Sequence, residues 1–82
     1  MIKFEVGKTY YNRFITDSDA YIYMRVIKRT PKTITAMVEG KKKPKVYRPF
    51  EYEGKEWIYP LGNYSMCPML RADQFIDTNK LN

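Results

Sequence analysis

The chain has 82 residues, 44% of them hydrophobic and 16% aromatic, with a formal net charge of +6. A chain this short forms one domain with a thin core, and its uninterrupted apolar runs fall far short of a membrane span. It contains no histidine and one cysteine, Cys67, which excludes an intramolecular disulfide and a structural zinc site and removes the commonest general base.

Residues 1–16 read as one or two short strands. Phe4 and Val6 alternate with Lys3 and Glu5, Gly7 breaks the run, and it resumes over residues 9–15. Thr16, Asp17, Ser18 and Asp19 form a polar turn cluster. Over residues 20–30 the alternation is clean. Ala20, Ile22, Met24 and Val26 share one face of an extended chain, and Tyr21, Tyr23, Arg25, Ile27 and Arg29 share the other. The first is a core face and the second is amphipathic. Pro31 then sets a turn corner between Thr30 and Thr33. Beyond it Ile34, Ala36 and Val38 alternate with Thr35, Met37 and Glu39, so the two runs predict an antiparallel hairpin.

A lysine-rich connection over residues 40–44 leads to a third run over 45–52, in which Pro49 predicts an edge strand or a bulge. Glu53 and Gly54 read as a hairpin turn into a strand over 55–59, where Trp57 and Tyr59 share a face. Residues 63–70 add a further short strand, 71–76 read as one or two helical turns, and 77–82 as a frayed tail. Residues 1–76 are thus expected to form a single, mostly β domain: a small antiparallel sheet of five or six strands, strongly curved or closed into an SH3-like barrel. An OB-like barrel is the other natural closure. A short C-terminal helical turn completes the expected fold.

Charge is local rather than general. Residues 28–48 hold eight basic side chains (Lys28, Arg29, Lys32, Lys41, Lys42, Lys43, Lys45 and Arg48) and one acid, Glu39. Concentrated positive charge beside strand sequence points to a polyanion, most often nucleic acid. Lys41, Lys42, Lys43, Lys45 and Arg48, with Lys28 and Lys32, are the candidate phosphate contacts. Arg25 and Arg29 adjoin them, and Tyr21, Tyr23 and Tyr47 are candidates for stacking on bases. Packing under the C-terminal segment is the competing role for Tyr21 and Tyr23. No recognition helix is legible, so single-stranded DNA or RNA is expected over duplex.

Catalysis is not expected. Cys67 lacks an imidazole to activate it and reads as a small buried thiol. The four glycines are isolated, so no phosphate-binding loop is present. Glu51, Glu53 and Glu56 read as a solvated acidic hairpin tip rather than a metal site. No cofactor or metal is expected, nor is membrane association. Without a secretory signal, the cytoplasm is the expected compartment.

Three segments carry a resemblance. Residues 26–35 (VIKRTPKTIT), 59–68 (YPLGNYSMCP) and 6–10 (VGKTY) look like a group of small uncharacterised proteins encoded by bacteriophages and other mobile elements of bacteria. The likeness spans roughly residues 4–73. No chemistry is attached to these motifs, so no site residue transfers with them. What the resemblance implies is a bacterial host cell and a second kind of function: an inhibitor of a host defence enzyme, anti-CRISPR-like, docking on an acidic protein surface. Monomer and homodimer are both compatible with the sequence.

Overall fold

The computed structural model describes residues 1–14 and 19–76. Most of the expected polar cluster at 16–19 and the tail at 77–82 lie outside the described residues. Among these residues eight strands form two antiparallel sheets: β1 (Thr9–Arg13), β2 (Tyr21–Arg29), β3 (Ile34–Val38), β4 (Lys45–Tyr47), β5 (Phe50–Tyr52), β6 (Lys55–Ile58), β7 (Leu70–Arg71) and β8 (Phe75–Ile76). The larger sheet has the order β4-β3-β2-β1-β8 and the smaller β5-β6-β7.

The β2–β3 hairpin is the centre of the fold. Ile22, Met24 and Val26 from β2 and Ile34, Ala36 and Val38 from β3 are buried, as their alternation predicts. They join Phe4, Tyr10, Ile58, Leu70 and Ala72 in one cluster that draws on both sheets. Phe4 and Tyr10 meet edge to face at 4.7 Å. The Tyr10 hydroxyl accepts a hydrogen bond from the Glu5 amide, and burial pushes its pKa up to about 12.

Strand β2 contains a β-bulge. Met24 opposes Val38, Arg25 opposes Met37 and Val26 opposes Ala36, but the next pair is Lys28 with Thr35, so Ile27 is the extra residue. An extra residue reverses which side chains face the core. Before the bulge the even-numbered side chains point inward. After it Arg29 lies opposite the buried Ile34, and so turns away from the face carrying Tyr21, Tyr23 and Arg25.

Inside, Arg29 meets Glu56 of β6 in a two-pronged ion pair, both contacts at 2.7 Å. The Phe4 amide donates to the same carboxylate at 2.8 Å, and Arg29 donates to the Phe4 carbonyl at 3.0 Å. One charged pair therefore ties together the two sheets and the N-terminal segment. This corrects the reading of Glu56 as part of a solvated tip: only 6% of it is exposed. Desolvation pushes the Glu56 pKa up, but the hydrogen bonds from Arg29 and Phe4 outweigh it and hold the carboxyl below its ordinary value.

Two further expectations are corrected. The sheet is open and does not close into a barrel. The run over 45–52 divides at Arg48 and Pro49, and its first half joins β3 while its second pairs with β6. The strand that a closed barrel would need is thereby shared between two sheets. Nor do residues 71–76 turn helically. A single turn, closed by the Gln74 amide on the Arg71 carbonyl at 3.2 Å, leads into β8, which pairs with β1 and sets Phe75 against Tyr10.

The hairpin at Glu53–Gly54 forms as expected, with positive φ at both residues, 53° and 77°. This is the two-residue turn that matches strand twist. Gly54 adopts it freely, whereas a residue with a Cβ is disfavoured there by roughly 1–2 kcal/mol. Glu53→Asn, which better tolerates this conformation, is expected to stabilise the fold by about 0.5–1 kcal/mol. Thermal unfolding followed by circular dichroism should show a rise of a few degrees; an unchanged or lower midpoint would contradict the strain assigned to Glu53.

Candidate nucleic-acid interface

Three tyrosines meet on the outer face of the larger sheet. The register places Tyr11 opposite Tyr23 and Arg13 opposite Tyr21 across β1 and β2. The ring centroids are 6.1 Å apart for Tyr11–Tyr23, 6.2 Å for Tyr21–Tyr23 and 6.4 Å for Tyr11–Tyr21. The Tyr21 and Tyr23 planes are stacked at 30° to each other. Tyr21 is 40% exposed, and Tyr11 and Tyr23 are half-buried against one another.

Cations flank this ladder. The Arg13 guanidinium lies 5.6 Å from the Tyr21 ring centre and donates through Nε to its hydroxyl at 3.1 Å. Arg25 follows Tyr23 on the same face, between Thr9 and Met37. Beyond Arg25 the face becomes apolar, where exposed Val6 and Ile27 border a shallow depression with Met37.

The lysine-rich connection leaves β3 at the end of the sheet where the ladder stands, since the Glu39 amide bonds the Tyr23 carbonyl at 2.9 Å. Lys41, Lys43 and Lys45, with Tyr47, line one side of a cleft of about 170 Å³, and Pro60, Leu61 and Gly62 line the other. Lys42 does not line it. The Tyr47 hydroxyl donates to the Pro60 carbonyl at 3.3 Å, and burial raises its pKa. Lys45 and Tyr47 pair with Ala36 and Ile34, so they share the inward parity and the cleft lies beneath the β4 edge rather than on the outer face. Tyr47 is thus separated from the ladder.

The expected basic cluster is accordingly divided. Tyr21, Tyr23, Lys41, Lys42 and Lys43 belong to one end of the molecule, and Arg25 and Lys45 stand midway along the sheet. Lys28, Lys32, Tyr47 and Arg48 lie toward the other end, around the β2–β3 turn and the exit of β4. Arg29 is committed to Glu56. Tyr11 and Arg13 are the residues that sequence reasoning passed over. Their signal was available, because the burial of Tyr10 within an alternating TYYNR strand places Thr9, Tyr11 and Arg13 outside.

Partnering separates the cations further. The ion pairs among the described residues are Lys8–Glu5, Arg29–Glu56, Lys55–Asp73 and Arg71–Asp73. Lys41, Lys42, Lys43, Lys45 and Arg25 take part in none of them. Among the described residues, no helix is long and apolar enough to cross a membrane. Nor do Glu51, Glu53 and Glu56 gather into a cluster able to hold a metal ion. Compared with known proteins, the chain matches no family model, no curated protein and no solved structure.

Proposed function

We propose that the protein is a non-enzymatic binding module for single-stranded nucleic acid with little sequence preference. The observation that carries this reading is the Tyr11–Tyr21–Tyr23 ladder, flanked by Arg13 and Arg25 and neighboured by the lysine-rich connection, whose lysines are in no ion pair among the described residues. Stacked bases need flat, partly exposed rings, and the backbone beside them needs cations not already neutralised. Duplex offers no unstacked bases to such a surface, and among the described residues no helix is present to enter a groove. The bacteriophage and mobile-element setting implied by the sequence resemblance suits a small accessory protein of this kind in a bacterial cell.

A second reading is an inhibitor of a host defence enzyme that docks on an acidic protein surface. The exposed apolar patch of Val6, Ile27 and Met37 beside Arg25 favours it, because nucleic acid makes little use of aliphatic surface while protein interfaces do.

The test is fluorescence anisotropy of labelled single-stranded DNA, duplex DNA and RNA at three salt concentrations. Single strands should bind at micromolar concentration or tighter, and the logarithm of affinity should fall with the logarithm of salt by about 0.7 per phosphate contacted. Replacing Lys41, Lys42 and Lys43 by Glu should weaken binding more than tenfold and flatten that slope by about 2. No binding at low salt would overturn the reading in favour of a protein partner.

A further inference from the structure

The cleft under β4 has features that a general electrostatic rim lacks. It is concave and walled on two sides. Lys41, Lys43, Lys45 and Tyr47 all line it, which gathers three lysines around one volume. Among the described residues no carboxylate lines it, and none of the three lysines is in an ion pair. The Lys45 Nζ lies 5.9 Å from the centre of the Tyr47 ring, which forms the floor beside it. Three uncompensated positive charges around a space of this size call for a compact anion of more than one negative charge.

Among the groups of nucleic acid, that requirement separates two kinds of phosphate. A diester inside a strand carries a single charge and continues on both sides, whereas a terminal phosphomonoester carries close to two charges at neutral pH and ends there. A walled cleft suits a group that ends. We infer that the cleft between Lys41, Lys43, Lys45 and the Pro60–Gly62 turn is a phosphomonoester site, which holds the terminal phosphate of a strand whose bases lie on the tyrosine ladder. The assignment of the phosphate to a strand rests on the nucleic-acid reading above. The separation is compatible: Lys45 is level with Val26, three residues along from Tyr23 and two strand spacings across, roughly 14 Å in all, and a flexible strand passing round the β4 edge spans it in a few nucleotides.

The experiment compares labelled oligothymidylates of equal length bearing a 5′-phosphate, a 3′-phosphate or hydroxyls at both ends, with thymidine monophosphate as the free-nucleotide arm. Affinity is read by anisotropy, and the position of contact by amide chemical shifts of Lys43, Lys45, Tyr47 and Gly62. One phosphorylated end should bind about tenfold tighter than the hydroxyl form. That advantage should fall away below about pH 6, where the second ionisation of the monoester is lost. Lys43→Gln together with Lys45→Gln should bring the phosphorylated and hydroxyl oligonucleotides to equal affinity, over and above the common loss from removing two lysines that also serve the strand. Both side chains are exposed, so the variant should fold.

Oligonucleotides that bind equally well whatever their ends would overturn the inference and leave the nucleic-acid reading standing. If thymidine monophosphate shifts the cleft amides while no oligonucleotide binds, the site is one for free phosphomonoesters and the nucleic-acid reading fails. If none of the ligands binds, both fail.

Discussion

Glu56→Ala is expected to bring the protein to the edge of unfolding. The substitution leaves the Arg29 guanidinium in the interior without its carboxylate and strips the Phe4 amide of its acceptor. Breaking a buried pair from one side typically costs about 3–5 kcal/mol, which is comparable to the whole stability of a domain this small. At roughly 4–8 °C per kcal/mol, the thermal midpoint should fall on the order of 12–40 °C, measured by circular dichroism. A fall of less than about 3 °C would show that the pair does not hold the sheets together. Combining Glu56→Leu with Arg29→Met should recover part of the loss, since the stranded charge is then gone. Recovery stays incomplete because the Phe4 amide and carbonyl remain without these partners.

The same pair sets the acid limit of the fold. The folded-state pKa of Glu56 is lowered, so the unfolded chain takes up the proton first as pH falls. The stability contributed by its ionised form is fully present above the ordinary carboxylate pKa and is lost as pH falls through the lower folded value. Wild type should therefore lose stability on acidification through that window, and the Glu56→Leu, Arg29→Met variant should lose less.

Removing the tyrosine ladder should have the largest effect on binding. Tyr21→Ala or Tyr23→Ala deletes a ring from the outer face and leaves the buried cluster intact. At roughly 1–3 kcal/mol per stacked base, each variant should bind a short single strand about 5- to 150-fold more weakly. The pair together should lose less than the product, because the rings touch each other. Tyr→Phe at either position should retain most of the affinity, since the ring does the stacking. Loss on removal of the hydroxyl alone would point instead to hydrogen bonding by the Tyr21 and Tyr23 hydroxyls. Circular dichroism of each variant should match wild type.

These two residue groups show where the sequence was legible. Ile22, Met24 and Val26 in β2 and Ile34, Ala36 and Val38 in β3 could be read as a hairpin facing the core because period-two burial is written in residue type. The turn at Glu53–Gly54 was readable from glycine chemistry. The bulge at Ile27 was not, because Val26-Ile27-Lys28 looks like any other strand segment and the cause of the slip lies across the sheet. Arg29 was therefore assigned to the wrong face, although its residue type and alternation were correctly read. Glu56 was missed for a related reason: a buried carboxylate resembles an exposed one until its partner is located 27 positions away. The end of the fold was obscured by brevity, since two-residue strands such as β7 and β8 carry too little pattern to show a period.

The bulge divides one strand into two separately constrained stretches. Residues ahead of Ile27 present Tyr21, Tyr23 and Arg25 to the surroundings, while Arg29 behind it serves the interior. Drift in surface composition on the first stretch leaves the internal clasp unaltered, so the molecule can change what it recognises without renegotiating how it stays folded. A one-residue insertion or deletion between the two stretches has the opposite character. It would present Lys28 or Thr30 to Glu56 in place of the guanidinium, and neither reproduces the paired contact that a planar fork makes with a carboxylate.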